Sequence, residues 1–112
     1  MKLLSTMAVA TGLYLAMCGT STASERMDDG VTAYSARCAS CHNSGVNGAP
    51  RTREPQDWEN RSSLWDSVLL QHAKKGYLEM PAKGGNPSMS DYDVDVAAEY
   101  MLNISHPDLP RD

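Results

Sequence analysis

The sequence predicts an all-α domain. Three stretches place apolar residues at helical spacing, no segment alternates apolar and polar residues as a strand would, and two Gly-, Asn- and Pro-rich stretches separate the helices. With 112 residues there is room for one domain of three to four short helices and no second, substrate-binding one.

The chain begins with a segment that reads as an export leader. Lys2 supplies the positive start, Leu3 to Met17 is mostly apolar, and Ser21, Thr22 and Ala23 are small residues suited to cleavage before Ser24. The apolar run is short and interrupted by Gly12, so it does not read as a membrane span. Residues 1–23 are therefore expected to be a cleaved signal peptide, and 24–112 the working domain. Cys18, in Leu15-Ala16-Met17-Cys18-Gly19, also resembles a lipoprotein signal, although Met17 stands where that pattern has a small residue. Lipidation of Cys18 is the alternative anchor, and membrane contact is expected only in that case.

The first helix is expected after a cap at Asp28 or Asp29 and runs through Val31 and Tyr34 towards Cys38. Asn43 to Pro55 is a loop. A second helical region starts near Pro55, breaks around Asn60 to Ser63, and continues with Leu64, Trp65, Val68, Leu69 and His72 until Gly76 stops it. Gly84-Gly85-Asn86-Pro87 is a second loop. Ser90 then caps a last helix, with Asp91 and Asp93 in its first turn and Val94, Ala97, Ala98, Met101 and also Tyr100 and Ile104 as its apolar stripe. Pro107 and Pro110 mark the tail.

Composition points to a core that needs help. The chain has no Phe, two Trp and five Tyr, and beyond the leader its cysteines are Cys38 and Cys41, too few for a disulfide framework. A bound apolar group would supply the missing bulk. The net charge of −4, one unit more negative without Lys2, makes nucleic acid an unsuitable partner and serves solubility or the steering of a basic partner equally well.

The chemistry concentrates in Cys38-Ala39-Ser40-Cys41-His42, the attachment motif for haem c. Two thiols three positions apart can each add to a vinyl group of one porphyrin, and the next residue delivers an imidazole to the iron. A zinc site lacks a second cysteine pair or a close histidine pair, and a thioredoxin-like redox pair would need a preceding strand. One covalent haem c with its iron is thus the expected cofactor, with Cys38 and Cys41 as thioether positions and His42 as an axial ligand.

Elimination points to Met80 as the second axial ligand. Met27 lies too close before the haem peptide, Met101 falls on the last helix's apolar stripe, and Met89 abuts the Ser90 cap, whereas Met80 lies between Gly76 and Pro81 in a segment free of helical demands. Met89 is the main rival, and His72 or His106 would give a bis-histidine site.

From about Gly30 to Ile104 the order of these signals resembles the class I c-type cytochromes, particularly the short bacterial cytochrome c-five group. Gly30 and Tyr34 stand before Cys38 at that family's spacing, Gly45 to Pro50 resembles the loop after its haem histidine, and Met80 to Asn86 resembles its methionine loop. The resemblance implies a small cytochrome c fold in which the first and last helices cross closely at Gly30, beside Tyr34 and Tyr100. It implies that the Pro50 carbonyl receives the Nδ1 proton of His42, and that Trp58 and Arg61 stand near the haem propionates. It also implies a periplasmic or otherwise exported single-electron carrier that is not an enzyme and meets redox partner proteins. Lys74, Lys75 and Lys83 could rim its docking edge. A five-coordinate haem for gas or peroxide chemistry, and an electron-input subunit of one larger oxidoreductase, are the competing readings.

Overall fold

The computed structural model describes residues 10–13, 22–59 and 66–106. Most of the leader, including Cys18, together with the stretch around Arg61 to Trp65 and the tail beyond His106, lies outside the described residues. Among the described residues five α-helices follow one another: α1 (Ala23–Ala33), α2 (Ala39–His42), α3 (Pro55–Trp58), α4 (Asp66–Lys75) and α5 (Asp91–Ser105). Among the described residues there is no strand, only an isolated antiparallel bridge between Tyr77 and Met80.

α1 starts earlier than Asp28 or Asp29 would have it. Thr22 is the cap: its hydroxyl accepts the Glu25 N–H while the Glu25 carboxylate accepts the Thr22 N–H, a reciprocal capping box. The Thr-x-x-Glu pattern satisfies two helix-end donors at once, so the helix extends upstream across the expected cleavage point. Asp29 serves elsewhere, accepting the Tyr92 hydroxyl of α5 at 2.6 Å.

α1 and α5 cross at Gly30. A β-carbon there would collide with the Val96 carbonyl and lie 3.0 Å from Tyr100 Cβ, so only a glycine lets the two backbones approach this closely. Arg26 ties the same pair of helices through a two-pronged ion pair with Glu99. The close crossing expected at Gly30 is thus the central packing contact of the fold.

The core forms around α5. Ala73, Met89, Val94 and Ala98 make one buried cluster, with Leu70 and Met80 packed at its side. Tyr34, Ala97 and Met101 make a second, bordered by Cys38, Ala39 and Tyr100, and Ala33 touches both. Ser90 caps α5 by accepting the Asp93 N–H at 3.0 Å, as expected. The buried surface of α5 is wider than the one stripe the pattern marks. Val96, Leu102 and Ser105 are buried as well, because α5 is packed by α1 on one side and α4 on another.

Candidate haem site

The run from α1 to α2 is continuous but not uniformly α-helical. Tyr34–Cys38 forms a π-helical turn in which the Ala39 N–H reaches back five residues to the Tyr34 carbonyl. Such a turn widens the helix by one residue and re-aims the side chains that follow, here Cys38 through His42. Cys38 is half-buried at the edge of the second core cluster and Cys41 is exposed, and the two are free thiols rather than a disulfide. Burial, with a smaller contribution from the neighbouring Cys41, pushes the Cys38 thiol above its ordinary pKa.

His42 closes α2 and is 93% buried by its surroundings, being 7% exposed. Its Nδ1 lies 2.8 Å from the Pro50 carbonyl. A carbonyl has no proton to give, so Nδ1 carries the hydrogen and the lone pair is fixed on Nε2, the nitrogen that can take a metal. The Trp58 ring lies nearly parallel to the imidazole, with centroids 6.2 Å apart.

The loop after His42 is held in place by its own polar groups. The Thr52 N–H donates to the His42 carbonyl at 2.8 Å, and Arg51 pairs with Asp57 through both its backbone N–H and its guanidinium. The indole N–H of Trp58 donates to the Arg51 carbonyl at 3.0 Å. Trp58 therefore uses its one donor to brace the loop that presents Pro50. Arg61 lies outside the described residues.

Two further contacts of this loop were not legible as site features. The Tyr34 hydroxyl is shared between Asn43 Oδ1 and Thr52 Oγ1, and desolvation by burial raises its pKa. Ser105, fully buried at the end of α5, accepts the Arg53 N–H at 3.1 Å where Arg53 adopts φ +70°. A lone serine on an apolar helix carries no pattern that would single it out.

Met80 emerges from the turn after α4. Gly76 ends that helix at φ +86°, its N–H on the His72 carbonyl at 2.8 Å, and the chain folds back so that Tyr77 and Met80 exchange both backbone hydrogen bonds at 2.9 Å. A side chain at Gly76 would meet Ala82 N at 2.9 Å, so the turn closes only with glycine. Met80 is half-buried at the border of the first cluster. Met89 instead sits inside that cluster, 7% exposed and enclosed by protein atoms, while Met101 lies in the core with Tyr34 and Ala97. Arg37, next to Cys38, reaches Asn86 in the segment after Met80 at 3.5 Å, tying that segment to the cysteine peptide.

Two of the three lysines expected at a docking edge are paired within the molecule. Lys74 pairs with Asp95 at 3.0 Å, and Lys83 pairs with Asp91 at 3.1 Å while donating to the Met89 carbonyl at 2.7 Å, so both are engaged within the molecule. Lys75 is exposed.

The residues present fit one covalent haem: two cysteines three positions apart that form no disulfide, an imidazole whose proton is fixed on Nδ1, and, in a short turn whose backbone Tyr77 holds, the methionine expected as the second ligand. Among the described residues, no three His, Cys, Asp or Glu side chains gather in a group that could hold a metal ion.

Comparison with known proteins agrees. A sequence model for the family described as cytochrome c oxidase, cbb3-type, subunit III matches residues 25–101. Cytochrome c-555 of Prosthecochloris aestuarii is 39% identical over 83 residues, an alignment covering 67% of this chain and 84% of that one. The chain belongs to the cytochrome c family.

Cytochrome c-551 of Halorhodospira halophila is 41% identical to this cytochrome over 66 residues, covering 59% of this chain and 81% of that one. A chain in the crystal structure of an electron transfer complex of nitrite reductase with cytochrome c superposes with a TM-score of 0.64 at 29% identity, over 70% of this cytochrome and 95% of that chain. The fold is the small cytochrome c fold, as the resemblance implied, and the family carries a covalent haem c with its iron. Cytochromes of this group carry electrons and are not enzymes. Among the described residues, no helix is long and apolar enough to cross a membrane.

Proposed function

We propose that this cytochrome is an exported single-electron carrier that holds one haem c through thioethers at Cys38 and Cys41, with His42 and Met80 as the axial ligands. The hydrogen bond from His42 Nδ1 to the Pro50 carbonyl carries this reading. It fixes the tautomer and the angle of the imidazole and makes Nε2 a stronger donor, a use of histidine typical of metal ligation.

The haem supplies, when bound, a one-electron couple whose potential a His/Met ligand pair raises. The residues supply its setting. Burial of His42 and the bracing of Pro50 by Trp58 and Arg51 hold the proximal side rigid, and the Tyr77 bridge does the same for Met80. With both axial positions taken by side chains, neither is left for a substrate, which favours electron transfer over gas or peroxide chemistry. The enclosed position of Met89 supports Met80 as the sulfur ligand.

The basic start, the apolar run and the small residues before Ser24 support export and leave 24–112 as the working domain. Redox proteins are the partners. The structural relative found with nitrite reductase supports this class of partner without naming the one used here.

The test is the mass of the purified holoprotein together with acid-acetone extraction. Residues 24–112 plus one haem that resists extraction is the expected result. A mass equal to the bare polypeptide, or one equivalent of zinc, overturns the assignment, and a diacylated chain beginning at Cys18 replaces cleavage by lipid anchoring.

A further inference from the structure

His72 lies in the last turn of α4, where its carbonyl accepts the Gly76 N–H. Its imidazole is stacked on the Tyr77 ring, with centroids 3.8 Å apart and planes within 1° of parallel. Tyr77 is the residue that clamps Met80 through both hydrogen bonds of the bridge, each 2.9 Å.

The turn between Tyr77 and Met80 is closed by its two backbone hydrogen bonds and gains little from its own side chains. Leu78 occupies the left-handed region at φ +50°, which is unfavourable for a residue with a branched apolar side chain, and that side chain is 85% exposed. Packing of Leu78 therefore contributes little to closing the turn. Tyr77 is itself 49% exposed, so on its side of the bridge the ring stack on His72 is a tie to α4, beside the packing of Met80 against the cluster that holds Ala73. A stacked aromatic pair is strong enough to shift the population of a two-residue turn by several-fold.

We propose that His72 is a positioning residue for Met80: its ring pins Tyr77, and Tyr77 pins the methionine through the backbone bridge. The proposal rests on Met80 being the axial sulfur ligand. Removing the ring frees the turn to open, and the sulfur leaves its position more often. The ring's flatness matters for this role rather than its basicity.

The experiment measures cyanide binding to the ferric holoprotein, because an added ligand gains access only when the methionine has moved away. His72→Ala should bind cyanide about three- to tenfold faster than the natural protein, a factor set by the strength of one aromatic stack. His72→Phe, which keeps a flat ring, should bind at the natural rate. Arg26→Ala, which cuts the ion pair between α1 and α5 far from the turn, should lower the unfolding midpoint and leave the cyanide rate alone. A natural rate in His72→Ala overturns the proposal, as does His72→Phe binding as fast as His72→Ala, or Arg26→Ala accelerating binding equally. Loss of the sulfur-to-iron charge-transfer band in Met80→Ala establishes the ligand independently. Persistence of that band removes the ligand assignment itself, and the role of His72 falls with it whatever the His72 variants do.

Discussion

Gly30 and Val96 meet backbone to backbone: the Gly30 α-carbon faces the Val96 carbonyl with no space for a methyl group between them. Gly30→Ala should therefore push α1 away from α5 and cost about 1–3 kcal/mol, the range for overpacking a tight site. Denaturant unfolding of the holoprotein measures it, and an unchanged midpoint would mean that the crossing yields without strain.

Tyr34 should make stability fall at high pH. Its folded pKa lies above the ordinary value of 10.0 because burial disfavours the phenolate, so the unfolded chain loses its proton first as pH rises. The tyrosine's contribution is intact below pH 10.0 and is lost as pH climbs through the raised value. Tyr34→Phe should flatten that part of the profile. At neutral pH it should cost roughly 1 kcal/mol, since Asn43 and Thr52 lose their shared hydroxyl. Equal slopes in the two proteins would assign the alkaline loss to other groups.

Ser105→Ala should destabilise by roughly 1 kcal/mol, because the part-buried Arg53 N–H loses its acceptor. Hydrogen exchange should then quicken at Arg53 and Thr52, the residues that anchor the loop carrying Pro50. Uniform exchange across the chain would instead indicate global loosening.

Met80→Ala should abolish the ferric sulfur-to-iron band and lower the reduction potential, while Met89→Ala should retain both and lose stability by about 2–5 kcal/mol, as large-to-small changes in a core do. The reverse assignment of spectral effects would make Met89 the ligand. No spectral effect from either would turn attention to the histidines.

With a net charge of −4 and Lys74 and Lys83 each engaged by an aspartate, docking on a basic partner should be electrostatically favoured. Reaction rates with such a partner should fall as salt rises. Rates indifferent to ionic strength would leave the acidity to solubility.

The elements that were legible in the chain are those with a local cause. Helical spacing in α4 and α5, the Ser90 cap and the stop at Gly76 all follow from contacts within a few residues, and the haem motif places both thiols and the imidazole on one short peptide. The Thr22–Glu25 capping box was equally local, yet it stood among the small residues of the expected cleavage site, whose own pattern masked it.

By itself, the sequence determined the all-α class, the Cys38-Ala39-Ser40-Cys41-His42 attachment peptide and the two loops that follow it along the chain, because spacing, glycine and proline act on the nearby backbone. Tertiary structure alone decided how those pieces are used. The π-turn that re-aims the haem peptide has no residue pattern of its own, and Trp58 spends its donor on Arg51 only because the loop folds back over it. The burial of Ser105 and Met89, the pairing of the lysines and the stack of His72 on Tyr77 depend on which faces of α1, α4 and α5 meet. Helix periodicity says that a side can be buried, but the partner on that side is chosen by packing across the whole core.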